Sequence, residues 1–99
     1  MSARFLGAFR TAPDQPWISA FISDLGTEGA FLRTLVLPPP PTALELRLDW
    51  ADGRPPLTCA ARTVWIRPRS AAGGVVGMGI QFEDLATSEK EQLHAFVHA

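Results

Sequence analysis

The sequence predicts a mainly-β fold, with six short antiparallel strands forming a small barrel or half-open roll that a C-terminal helix caps at one end. Three observations carry this. Residues 43–50 alternate strictly, Leu44, Leu46, Leu48 and Trp50 against Glu45, Arg47 and Asp49. That pattern gives one wet and one buried face, the mark of antiparallel pairing. Clusters of Pro, Gly, Asp and Ser separate the apolar runs, as turns require. Only at the end does the apolar spacing change, where Leu93, Phe96 and Val97 stand at i, i+3 and i+4.

Residues 5–10 read as the first strand, thinned by Gly7. Two prolines and an Asp then make a turn. Residues 17–23 form the second strand, in which Ile18 and Ile22 are expected to point inward while Trp17 and Phe21 cover an edge or a helix. A corner follows, with Asp24, Gly26 and Gly29 between two apolar strands. Such composition suits a backbone that goes left-handed or leaves room above it. The third strand spans residues 30–34. Pro38, Pro39, Pro40 and Pro41 cannot join a ladder and are expected to form a stiff polyproline II spacer; their other reading, a ligand for an aromatic groove, lacks a flanking basic residue.

Residues 43–50 are the fourth strand, ended by a turn at Asp52 and Gly53. Residues 57–66 are the fifth, and residues 67–74 a flexible loop carrying Arg67 and Arg69. Residues 76–84 are the sixth strand: Met78, Ile80 and Phe82 share one face, and Gly77 and Gly79 share the other, where something must approach the backbone closely. The helix covers residues 88–98, with a capping box of Ser88 and Glu91. His94 and His98 read as solvated helix residues, since no Cys or acid completes a metal site around them.

Ninety-nine residues suit one domain, 1–99, whose folding removes roughly 60–65% of the unfolded chain's surface from water. Nine basic and ten acidic residues give no global field for nucleic acid, and the single Lys90 leaves no basic groove interleaved with aromatics. No apolar run suits a membrane span, and the N-terminal residues do not read as a signal peptide. Cys59, the one cysteine, lies in an apolar strand and reads as a buried thiol. A reducing cytoplasm fits this usage. No His stands near Cys59 in sequence, and Asp24, Glu28, Glu83 and Asp84 form no acid–base pair with a nucleophile, so an enzyme is not expected.

Asp24 to Phe31, then Val64-Trp65-Ile66, then Gly77-Met78-Gly79-Ile80-Gln81-Phe82-Glu83-Asp84-Leu85 before a short helix, resemble the PilZ domain in order and spacing. The resemblance runs from about Phe5 to Val97. It implies a six-stranded antiparallel barrel with a C-terminal helix, bacterial signalling in motility or surface polysaccharide, and cyclic di-GMP as ligand. It also implies two binding segments, an RxxxR pair ahead of the first strand and a D/N-x-S-x-x-G motif on the barrel. Asp24 and Gly29 match the second, but Gly26 stands where the serine belongs. The first is essentially missing: Arg4 precedes the strand, Ala8 is four positions on, and Arg10 is six away.

The resemblance thus offers Arg4, Arg10, Asp24, Gly26, Gly29 and Arg33 as candidate ligand-binding residues, with no other cofactor and no metal. Losing one or two bidentate Arg–guanine contacts and a hydroxyl bond costs roughly 2–7 kcal/mol. A micromolar site would weaken to tens of micromolar or beyond. An adaptor acting through protein contacts is therefore the expectation, with Trp17, Phe31, Trp50 and Trp65 as candidate partner-binding aromatics and a homodimer as one possible assembly. The alternative is a cyclic di-GMP receptor that recruits Arg33, Arg62, Arg67 and Arg69 instead.

Overall fold

A computed structural model describes residues 5–50, 53–68 and 75–97. Six strands, β1 (Phe5–Arg10), β2 (Ile18–Ser23), β3 (Gly29–Arg33), β4 (Ala43–Leu48), β5 (Leu57–Arg67) and β6 (Gly77–Glu83), precede one helix, α1 (Thr87–Val97). The strands close into a barrel in the order β1-β2-β3-β6-β5-β4, every pair antiparallel. Of the two sequence alternatives, the barrel is the one adopted. Arg4, Asp52 of the expected turn, residues 69–74 of the expected loop, and His98 lie outside the described residues.

The alternation of β4 places Leu44, Leu46 and Leu48 inside, opposite Ala61, Cys59 and Leu57 of β5. Leu44 and Leu46 meet the smaller Ala61 and Cys59, while Leu48 meets Leu57, so the two strands share the interior volume. Thr63, the buried polar residue of this core, donates its hydroxyl to Met78 Sδ at 3.5 Å. Gly7 does more than thin its strand: a Cβ there would run into the Ile22 side chain and the Arg47 carbonyl.

Outside the β1/β4 seam, Arg10 Nε bonds Glu45 Oε1 at 2.6 Å and Arg47 Nε bonds Asp49 Oδ1 at 2.9 Å. Both guanidinium groups lie over the Trp17 ring, at 4.2 and 5.0 Å from its centroid. Trp17 therefore stands before β2 rather than in it, half-buried between two arginines. Each such stack contributes about 0.5–1 kcal/mol at an exposed site. Ile22 is fully buried and Ile18 packs against the core, as the alternation requires. Phe21 covers neither edge nor helix; it faces outward and is 53% exposed.

The Pro40–Pro41 peptide is cis, so the proline run is not one continuous polyproline II segment. The helix also begins earlier than the Ser88 cap implies. Lys90 N donates to Ala86 O at 3.0 Å, which makes Ala86 the N-cap. Glu89, not Glu91, then occupies the third helical position and accepts from Ala86 N at 2.8 Å. Packing anchors the helix: Leu93 is fully buried, Phe96 and Val97 lie on the core, and the Phe96 ring sits 4.7 Å from Trp50. Burying a Leu fully contributes about 1.5–3 kcal/mol, more than a cap. No helix among the described residues is long and apolar enough to cross a membrane.

Burial, then the nearby Glu89 carboxylate, pushes the Cys59 thiol up to about 12. The folded state holds this proton more tightly than the unfolded chain, so its contribution is intact below pH 9 and is lost as pH climbs toward 12. Thermal melts should show a stability decline across that window that is shallower in Cys59→Ala. Native protein should resist alkylation near pH 8, and unfolded protein should react readily.

Candidate functional site

The corner between β2 and β3 is built from a few local demands. Asp24 adopts φ +49°, a left-handed conformation that a short polar side chain tolerates. Leu25, one residue on, is fully buried and pins the loop to the core. Gly26 N donates to Gly29 O at 2.9 Å, and Phe82 N donates to Glu28 O at 2.8 Å, tying the loop to β6. A Cβ on Gly29 would overlap the Ile80 carbonyl. At Gly26 the nearest atom to such a Cβ is Gly29 O at 3.8 Å, so a serine would fit there.

Beside the corner lies a cleft of about 470 Å³, lined among others by Asp24, Phe31, Arg33, Trp65, Arg67 and Gly79. The strand order explains this company, because β3 and β5 flank β6. On β6, Gly77 leaves space that Phe31 occupies, and Gly79 leaves space for the Trp65 indole. What approaches the glycine face is thus the chain's own aromatic pair. The two rings lie 5.4 Å apart at 38°, and the Arg67 guanidinium sits 5.3 Å from one centroid and 5.5 Å from the other. A second trough runs on from Arg33 past Phe21, Leu35 and Val75, whose side chains are exposed.

The sequence-derived residues divide sharply between places. Asp24 and Arg33 line the cleft, with Gly26 and Gly29 in the adjoining corner. Arg10 does not line it; that residue is held on the β1/β4 wall by Glu45 and Trp17. Arg62 lies on the outer face of β5 beside Gln81. Of the four candidate aromatics, Phe31 and Trp50 are buried, at 7% and 6% exposure, and back the surface rather than form it. Trp17 is half-buried, and Trp65 is 44% exposed. Arg67, offered by the sequence only in the alternative receptor reading, lines the cleft with Arg33. Its signal was its position two residues after Trp65 on one strand, which puts both on one face.

An acid, two guanidinium groups and two flat rings equip this cleft to stack planar or apolar groups and to meet anions. Among the described residues, no group of three or more His, Cys, Asp or Glu could hold a metal ion. Residues 4–99 match the family model for the PilZ domain. The chain belongs to the PilZ family. PilZ domains are cyclic di-GMP-binding and adaptor domains rather than enzymes, and the match covers essentially the whole chain. No curated protein matches it. Within the PilZ barrel, the aromatic cleft opens directly beside the corner of Asp24 and Gly29.

Two measurements follow from this geometry. Gly29→Ala should lose about 1–3 kcal/mol of stability by overpacking, while Gly26→Ser stays within about 0.5 kcal/mol of the parent, as urea unfolding would read. Acrylamide should quench a red-shifted component of the tryptophan emission, and Trp65→Phe should remove it while leaving the blue-shifted emission of Trp50.

Proposed function

We propose that this PilZ domain is a bacterial signalling adaptor that works in the cytoplasm through protein contacts and binds cyclic di-GMP weakly or not at all. The observation that carries this is the employment of Arg10. Its Nε is 2.6 Å from Glu45 and its guanidinium 4.2 Å from the Trp17 centroid. Freeing it for a nucleotide would break both contacts and leave Glu45 without its cation. The corner adds a second deficit, since Gly26 supplies no hydroxyl, worth about 1 kcal/mol for a neutral hydrogen bond. Meanwhile Phe21, Leu35, Val64, Trp65, Ile66 and Val75 stay exposed, an apolar endowment suited to a protein partner.

One observation favours a second reading. Arg33 and Arg67 line the same cleft as Asp24, and with the Trp65 ring they could take a guanine and a phosphate without the N-terminal pair. Calorimetry with cyclic di-GMP at low salt separates the two. The adaptor reading expects a Kd weaker than about 10 μM. Tighter binding that is lost in Arg33→Ala or Arg67→Ala would establish the receptor in its place.

A further inference from the structure

β5 runs for 11 residues, Leu57–Arg67, but β4 accompanies only its first part. The β4–β5 register ends at Ala43 opposite Arg62. One further main-chain bond crosses the seam, from Thr63 N to Thr42 O at 3.0 Å. Directly before Thr42 stand Pro38, Pro39, Pro40 and Pro41. They have no N–H to donate, so the ladder cannot continue along them. Residues 65–67 stay paired with β6 on the other side, Trp65 with Gly79, Ile66 with Met78 and Arg67 with Gly77. Among the described residues, nothing continues the β4 side of the ladder past Thr63, and residues 64–67 form an open strand edge.

That edge is apolar. Val64, Trp65 and Ile66 are 42%, 44% and 37% exposed. The irregularity between Thr63 and Trp65 and the proline at 68 limit its length, but no lysine or acid guards its middle, as edges commonly require. Its charge is one-signed: residues 57–68 include Arg62 and Arg67 and no acidic residue. Among the lining residues of the adjoining cleft, Asp24 is the acid and Arg33 a third cation. A second copy laid antiparallel over residues 64–67 would add its own Arg67 and no carboxylate to the seam, leaving both cations without an opposite charge.

We propose that residues 64–67 of β5 are a docking strand for an extended acidic segment of a protein partner. The partner's main chain continues the ladder that the prolines cut short, a carboxylate meets Arg67, and an apolar side chain covers Trp65. This rests on the adaptor reading and specifies its partner's chemistry.

Two fluorescein-labelled ten-residue peptides test it on the full chain by anisotropy, one alternating Glu and Val around a central Trp, the other with Lys for Glu. The Glu peptide should bind, more weakly as salt rises, and the Lys peptide should not. Arg67→Glu should weaken the Glu peptide at least about tenfold and Arg67→Gln by less, with melting curves checking that both variants fold. N-methylating the amides on one edge of the Glu peptide should abolish binding, and on the other edge should leave it. Equal binding of both peptides, or indifference to methylation on either edge, would overturn the proposal. So would a dimer in sedimentation that Arg67→Glu dissociates, since the edge would then belong to a second copy. Cyclic di-GMP calorimetry is read separately, so failure of the docking strand and failure of the adaptor reading can be told apart.

Discussion

The outer face of this barrel depends on how closely neighbouring side chains approach the backbone of β6. At Gly77 and Gly79 there is no Cβ, and the space is taken by Phe31 from β3 and Trp65 from β5. Two rings from different strands are thereby laid side by side against a third. Their stacking contributes about 0.5–1.5 kcal/mol beyond the area they remove from water. It also fixes where Arg67 can lie, since the guanidinium rests over both rings. Cleft, aromatic floor and cationic rim all follow from two missing methyl groups.

Charge on the remaining wall is spent differently. Arg10 and Arg47 each have a carboxylate and share one indole. Ion pairs of this exposure contribute about 0–1 kcal/mol, so their weight lies in holding Trp17 and the start of β2 in place. Arg33 and Arg67 have no salt bridge among the described residues. These four arginines thus divide into an ion-paired set on β1 and β4 and a set that lines the cleft, Arg33 and Arg67.

The fold was legible because its strongest signals are local. Leu44 to Trp50 announces a half-buried strand without reference to anything distant, and Leu93, Phe96 and Val97 do the same for the helix. Ser88 and Glu91 satisfy a local rule, but the helix starts two residues earlier, where Glu89 reaches back to Ala86 N and no Ser, Thr, Asp or Asn marks the cap. Phe31 and Trp50 looked like surface candidates because sequence gives a residue's type but not its neighbours. Which side each faces depends on pairings such as β3 with β6, between residues about fifty positions apart. The same distance hid the fate of Arg10, whose partner Glu45 is 35 residues away. Gly77 and Gly79 were read correctly as an approach site, but the approaching groups could be named only from the strand order.

Leu25 sits in the middle of an otherwise exposed corner and is wholly buried. The loop's shape is therefore secured by an apolar anchor and by main-chain bonds from Gly26 and Phe82, none of which touches the chemistry above it. The buried anchor of the corner is thus a different residue from the Arg33 and Arg67 that give the cleft its charge. A change at Arg33 or Arg67 would alter the charge the cleft presents without loosening the corner, so one platform can be re-equipped for a different partner.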